Sequence, residues 1–432
     1  MFVSEDLNTN KKGHLTIDGA DTVSLAEKYG TPLYVMDEDL IRKNCRLFKE
    51  SIDKYYDGNG LVAYASKAFA CKKMYKIIQS EGLGADVVSG GEIYTALKAG
   101  FDPKKHVFHG NNKTAEEIEF ALENGVGRIV ADNLSELKLI DKIAESKNVT
   151  ANLLLRIKPG VDAHTHKFIR TGQIDSKFGF ALETGEAFDA VKAVLNHENL
   201  HLAGLHCHIG SQILDIDPFC EAAEIMLGFI AKIKNELNYK IDELNLGGGF
   251  GIRYTEEDDP KPYDSFMKAV SVRVHSVCEK LSIDLPFILI EPGRSIAGPA
   301  GITLYTVGAV KKIPNIRTYV SVDGGMDDNP RYILYQSVYE AVAANKADEP
   351  RNTKVTIAGK CCESGDLIGE NMSLQEVNPG DIIAVMATGA YNYSMASNYN
   401  RIPRPAVVFI KDGKDELGIK RESYEDLIRN DL

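Results

Sequence analysis

No two cysteines in this chain are spaced as a C-x-x-C pair, and their total of seven is odd. Cys45, Cys71, Cys207, Cys220, Cys278, Cys361 and Cys362 therefore read as buried or reactive thiols, not as a disulfide framework. Most are expected to be small core residues. The exception is the adjacent pair Cys361-Cys362, which sits in a Gly-rich polar segment. No apolar run approaches the roughly 20 residues that cross a bilayer. Residues 1–12 are polar and lack the apolar core of a signal peptide, so the expected compartment is the cytosol. Positive charge is also scarce: 50 basic residues face 62 acidic ones, for a net charge of −12. That balance argues against a nucleic-acid or anionic-membrane partner, and it obliges an anionic substrate to find local arginines. Low-complexity tracts and repeats of solenoid length are absent as well.

What the chain does contain is ordinary for a soluble globular protein: 432 residues, 44% hydrophobic and 26% charged, a length suited to two domains. Apolar runs at 61–66, 85–88, 106–109, 128–131, 152–157, 202–207, 243–246 and 287–290 read as eight strands, with helix-like segments between them. Thr114 with Glu117 and Ser89 with Glu92 form capping boxes, with stops at Gly125 and near Gly100. Strands that alternate with helices pair in parallel through crossovers. Eight such units fit an α/β fold of the (β/α)₈ barrel type better than an open doubly wound sheet, which stays as the alternative. The run 32–36 is strand-like with its place open. Beyond residue 300 the runs 307–310, 318–322, 354–358, 382–386 and 405–410 alternate with Gly, Asp, Asn and Pro turns, the texture of a mostly β domain. The run 14–17 would add a strand to it. The expected division is a barrel over 31–300 and a β domain from 1–30 and 301–432.

Polar or Gly-rich clusters follow nearly every strand, as they do at the active-site face of barrel enzymes. Gly247-Gly248-Gly249-Phe250-Gly251 follows strand seven, where barrels bind phosphate through backbone N–H groups; in isolation such a run is equally an ordinary tight turn. Lys67 follows the apolar run Val62-Ala63-Tyr64-Ala65-Ser66. An imine-forming lysine must be partly desolvated, and a barrel mouth offers that; Lys158 is placed comparably, and pattern alone does not choose. His206 and His208 share a strand face, and with His164 and His166 they raise a metal-dependent hydrolase as an alternative. Against it, no further carboxylate and histidine ligands are evident at neighbouring strand ends. Glu291-Pro292-Gly293-Arg294 ends strand eight, where a carboxylate is either an ordinary salt-bridge partner or the group that keeps a pyridine nitrogen protonated.

Tyr64-Ala65-Ser66-Lys67-Ala68-Phe69 resembles the cofactor-lysine segment of the alanine-racemase-like, pyridoxal-phosphate-dependent decarboxylases. His206-Cys207-His208-Ile209-Gly210-Ser211-Gln212, the glycine run, Glu291 to Arg294, Gly359-Lys360-Cys361-Cys362-Glu363-Ser364-Gly365-Asp366 and Gly389-Ala390-Tyr391 follow in the order of that family. Val161-Asp162-Ala163-His164-Thr165-His166 and Asp175-Ser176-Lys177-Phe178-Gly179 are similar to its diaminopimelate-specific branch.

The resemblance covers almost the whole chain. It implies decarboxylation of meso-2,6-diaminopimelate to L-lysine and CO₂, the last step of lysine biosynthesis. Lys67 would carry pyridoxal 5'-phosphate as a Schiff base, His208 would stack on its ring, and Asp86 would lie in its pocket. Ser211, Gly248 and Gly249, with the backbone of Glu291, Pro292, Gly293 and Arg294, would hold the phosphate. Glu291 would pair with the ring nitrogen, and Tyr391 would reach cofactor and substrate. Arg294, Arg331, Tyr335 and Glu363 would bind substrate, the spacing of Arg331 and Tyr335 being one helical turn. Cys362 would donate the proton, with Cys362 and Glu363 supplied by the neighbouring subunit of a homodimer. No metal is implied. An ornithine or arginine decarboxylase of the same fold and a non-catalytic cofactor-binding homologue remain as competitors.

Overall fold

The computed structural model describes residues 2–161 and 176–432, and the chain divides into two compact units. One comprises Asn44–Gly251 and Pro260–Gly293; the other comprises Met1–Lys43, Ile252–Asp259 and Arg294–Leu432.

In the first unit eight parallel strands close a barrel. They are β1 Gly60–Ala65, β2 Gly84–Val87, β3 His106–Phe108, β4 Arg128–Ala131, β5 Ala151–Lys158, β6 Leu200–Cys207, β7 Glu243–Asn245 and β8 Phe287–Ile290. Each pairs with its successor, and β8 returns to β1 in the register Ile288–Gly60, Leu289–Leu61, Ile290–Val62. Closure removes the sheet edges that a doubly wound arrangement would leave, so that alternative falls. All eight strands read from the sequence are present, with ends shifted by at most two residues. Helices such as Lys72–Ser80 and Tyr263–Leu281 make the crossovers. The capping box of Thr114 and Glu117 is reciprocal. At Ser89 it is only half formed: Ser89 accepts from the Glu92 N–H at 3.2 Å, while the Glu92 carboxylate accepts from Val88 N–H at 2.7 Å.

The barrel interior is layered by the two-residue period of its strands. Leu61, Ala63, Val107, Val130, Leu154, Ala203, Phe287 and Leu289 form one apolar cluster. Two residues further along the same strands come Ala65, His109, Asp132, Arg156 and Glu291, all buried. The core thus ends, strand by strand, in a layer rich in ionisable side chains at the C-terminal ends.

The second unit is mostly β. Its large sheet runs in the order Leu367–Leu374, Thr353–Ala358, Arg317–Val322, Gly301–Ile313, Leu33–Asp37, Ala406–Lys411, Lys414–Ile419, and Ala341–Ala343 joins through Ile382–Val385. The 13-residue strand Gly301–Ile313 is its spine. The first part pairs with Leu33–Asp37 and Ile382–Val385, the second with Arg317–Val322. One sequence expectation, the boundary of the barrel, differs here. Residues 31–43, 252–259 and 294–300, read with the barrel, group with the β unit; for the first of these the reason is that Leu33–Asp37 is hydrogen-bonded between Gly301–Ile313 and Ala406–Lys411. The run 14–17 does add a strand to this unit: Leu15–Ile17 lies in a three-stranded sheet with Leu7–Thr9 and Ala20–Asp21, apart from the large sheet. Among the described residues no helix is long and apolar enough to cross a membrane.

Candidate active site

Glu291 is the hub of the barrel's polar layer. It is 6% exposed, and three side chains reach it from three other strands: His109 Nε2 at 2.7 Å, Asn245 Nδ2 at 2.6 Å and His206 Nε2 at 3.2 Å. Burial alone would raise its pKa, but the electrostatic pull and donated hydrogen bonds of His109 and His206 hold it well below the usual carboxylate range. An ionised carboxylate only accepts, so the facing ring nitrogens carry protons. Burial pushes His206 down to about 3 and keeps that ring neutral at physiological pH. Asp86 is 2% exposed with a carboxyl raised chiefly by burial, and its Oδ1 has no hydrogen-bond partner among the described residues. Arg156 lies over the Phe178 ring at 4.1 Å and 4.0 Å from Asp132.

The loops that follow these strands are stitched tightly together. Ala65 N–H donates to Pro292 O at 3.2 Å, and a Cβ on Gly293 would lie 2.8 Å from the Ala65 Cβ. A Cβ on Gly248 would fall 2.1 Å from the Glu291 carbonyl oxygen, and one on Gly249, at φ +108°, 2.6 Å from that of Gly210. Glycine is therefore dictated at 248 and 249 by close backbone approach. Gly248 N–H donates to His208 Nδ1 at 3.3 Å, fixing the ring that the sequence singled out. Burial, then the charges of Lys67 and Arg156, hold His208 well below its ordinary pKa. Ser211 is half-buried in the same loop.

Lys67 sits in the 3₁₀ turn Ser66–Ala68 directly after β1. Its neighbours Ser66 and Ala68 are buried, whereas the lysine is exposed, contrary to the expectation of partial desolvation. The reason is local: Lys67 is the second residue beyond the apolar strand, one past the buried Ser66. Its charge acts on Asp86, Glu92 and His208, which places it within the electrostatic reach of the polar layer. Lys158 ends β5 half-buried. The pair His164 and His166 lies outside the described residues.

In the β unit a second group assembles around two buried arginines. Arg294 donates to the Tyr254 hydroxyl, and its guanidinium lies 4.7 Å from the Tyr391 ring centroid. Arg331 lies 5.5 Å from the Tyr391 ring and 5.4 Å from that of Tyr335, one turn along the helix Arg331–Tyr335. Tyr391 joins the two arginines from a left-handed backbone, φ +64°, which bulky residues rarely adopt. Arg331 is 8% exposed, donates to Ser337 Oγ at 3.2 Å and forms no ion pair with a carboxylate among the described residues.

The adjacent cysteines separate sharply. Cys361 is buried and donates to Asp327 Oδ1 at 3.3 Å, and burial with the neighbouring carboxylates pushes its thiol well up. Cys362 and Glu363 are exposed.

The structure thus groups Asp86, His208, Gly248, Gly249 and Glu291 to Gly293 at the barrel strand ends, and Arg294, Arg331, Tyr335 and Tyr391 in the β unit. The sequence reading missed His109, Arg156, Asn245 and Tyr254. A signal existed for His109 and Arg156: each lies two residues beyond an inward apolar residue of its strand. The reading that no histidine and carboxylate cluster gathers at neighbouring strand ends is corrected, since ligand atoms of His109, His206 and Glu291 all lie within 4.8 Å of one another. These groups satisfy one another through hydrogen bonds. The set fits pyridoxal phosphate: an ionised buried carboxylate, a neutral imidazole, a glycine turn with no room for a Cβ, and an amine at the next strand end.

Comparison with known proteins agrees. Residues 38–298 match the family model of the pyridoxal-dependent decarboxylases, pyridoxal binding domain. The chain is 52% identical over 422 residues to a diaminopimelate decarboxylase of Bacillus methanolicus, covering 98% of each chain. It is 50% identical over 435 residues to that of Bacillus subtilis, covering 100% of this chain and 98% of the relative. Among solved structures, diaminopimelate decarboxylase from M. jannaschii in co-complex with L-lysine aligns with a TM-score of 0.92 at 37% identity, covering 100% of this chain and 99% of that one. The Helicobacter pylori enzyme complexed with L-lysine aligns at 0.85 with 33% identity, covering 95% and 98%. The chain therefore belongs to the diaminopimelate decarboxylase family of pyridoxal-dependent decarboxylases.

Proposed function

We propose that this enzyme converts meso-diaminopimelate to L-lysine and CO₂, the last step of lysine biosynthesis, in the cytoplasm and as a homodimer. The observation that carries the reading is Glu291, a buried carboxylate kept ionised by donors from three other strands at the end of β8, which pairs with the strand that leads into Lys67. Lys67 would hold pyridoxal phosphate covalently. Asp86, His208, Ser211, Tyr391 and the backbone of Gly248, Gly249 and Glu291 to Arg294 would complete its binding set. When bound, the cofactor supplies an electron sink for the carbanion left by loss of CO₂.

The remaining work falls to the chain's own groups. Glu291, as an anion, holds a proton on a pyridine nitrogen. His208, kept neutral, offers a flat face without adding positive charge. Arg294 and Arg331 grip substrate carboxylates through paired N–H groups, with Tyr335 alongside. Among the described residues Arg331, though buried, has no carboxylate partner, and this supports its role, because a buried cation needs an anion to offset its desolvation. Glu363 takes a substrate ammonium, and Cys362 returns a proton from Sγ to the carbon that lost CO₂. Both come from the neighbouring subunit of a two-fold dimer. Exposed Ile333, Leu334 and Val338, at 38%, 49% and 62%, support an apolar contact surface. Free cysteines throughout support a reducing compartment.

The test is incubation of the purified holoenzyme with meso-diaminopimelate, ornithine and arginine separately, with CO₂ and amine product both measured. Lysine from diaminopimelate alone is expected. Comparable release from ornithine would replace the substrate assignment with the sister activity.

A further inference from the structure

The loop that carries Cys362 and Glu363 is closed by a carboxylate to which the reaction itself gives no task. Asp366 is 3% exposed. Its Oδ1 accepts from Met326 N–H at 2.6 Å and its Oδ2 from Cys361 N–H at 2.7 Å, so one side chain clamps two separate segments. The fit around it is close: a Cβ on Gly325 or Gly359 would lie 2.5 Å or 2.2 Å from its carboxylate oxygens. The backbone folds on the same point, with Gly359 N–H donating to Asp366 O at 3.0 Å, Asp366 N–H to Glu363 O at 3.1 Å and Glu363 N–H to Cys361 O at 2.8 Å.

Two further anchors act on the cysteines themselves. Cys361 Sγ donates to the buried Asp327 at 3.3 Å, and Cys362 N–H donates to Asn400 Oδ1 at 2.8 Å. The first thiol is thereby pinned inward while the second stays at the surface. A segment containing Ser364 and Gly365 has little of its own to fix such an arrangement, whereas a carboxylate that accepts two backbone N–H groups fixes it strongly.

We propose that Asp366 is the positioning residue for Cys362 and Glu363, presenting thiol and carboxylate in one geometry, with Asp327 and Asn400 as secondary anchors. Proton delivery depends steeply on such placement, and a misplacement of about 1 Å costs on the order of 100-fold. The inference rests on the reading of Cys362 as the proton donor.

The experiment compares the holoenzymes of Asp366→Asn, Asn400→Ala and Cys362→Ala with the native protein. It follows kcat, KM, cofactor absorbance and the alkylation of each cysteine by iodoacetamide, resolved by peptide mass. Asn at 366 keeps one accepting oxygen and sets an NH₂ group against the other donor, so one clamp is lost without a change in size. The expected result is a kcat loss of roughly 10- to 100-fold with KM within about twofold and cofactor content unchanged. Cys361, protected in the native protein, should then become alkylated beside Cys362. Asn400→Ala, at an exposed position, should lower kcat several-fold while changing the Cys362 alkylation rate. Native kcat and a native alkylation pattern in either folded variant overturn the proposal. Full kcat in Cys362→Ala instead removes the proton-donor reading, and the alkylation pattern still decides whether Asp366 holds the loop.

Discussion

His109 donates from Nε2 to Glu291 Oε1 at 2.7 Å, joining the ends of barrel strands β3 and β8 across 182 residues of sequence. Hydrogen bonds to buried charged groups contribute about 1.5–3 kcal/mol. His109→Ala should therefore weaken cofactor retention by roughly 10- to 100-fold, with a larger catalytic loss in Glu291→Gln. Titration of the apoprotein with pyridoxal phosphate, followed by absorbance, checks the first; equal retention in His109→Ala and native protein would detach this contact from the cofactor site.

Lys67→Ala should lose the visible band of the bound cofactor and decarboxylation together. Borohydride reduction of the native protein, digestion and mass analysis should locate the pyridoxyl group on the peptide of Lys67. A band that survives the substitution would shift the role to another amine, Lys158 first.

Arg331→Ala should raise KM for diaminopimelate by roughly 10- to 100-fold, the equivalent of about 1.5–3 kcal/mol for hydrogen bonds to a charged group, with cofactor affinity unchanged. Arg331→Lys should not restore it, since the planar fork and its place between the Tyr335 and Tyr391 rings are both lost. Steady-state kinetics beside a cofactor titration separate the two effects.

Asp37, 1% exposed, has its carboxyl raised to about 7, by burial first and then by Asp6, Asp18 and Asp39, against the bond from Leu40 N–H. The folded state thus favours the protonated form. The associated stability is fully present below the unfolded value near 3.8 and is lost as pH rises through about 7. Asp37→Asn should remove a term of about 2–4 kcal/mol from the stability difference between pH 5 and pH 8. Urea unfolding of both proteins at the two pH values measures it; an identical difference would place the titration elsewhere.

Much of the fold was legible because barrel strands are short, buried and bounded by punctuation. The run 128–131 reads as Arg128–Ala131 and 287–290 as Phe287–Ile290, since apolar composition and a flanking turn set both ends. The β unit was less legible. Lys414–Ile419, a polar edge hairpin partner, carries little apolar signal, and Leu33–Asp37 reads as a strand without showing which sheet it enters. For the site, Lys67, His208, Glu291, Arg331 and Cys362 stood out through motif and position. Their partners did not: nothing local in the sequence marks Asn245 as a ligand of Glu291 or Asp366 as the clamp on Cys361.

By itself, the sequence determined the alternation of strands and helices, the period-two placement of ionisable residues beyond apolar ones, and the residue types from which this chemistry can be built. Those properties depend on side chains within a few positions of one another. Tertiary structure alone decided that β8 closes on β1, that Glu291 meets three donors, that 248 and 249 must be glycine, and that of two neighbouring thiols only Cys362 reaches the surface. Each of these depends on distances between segments remote in sequence, and such distances exist only once the barrel has closed and the β unit has packed.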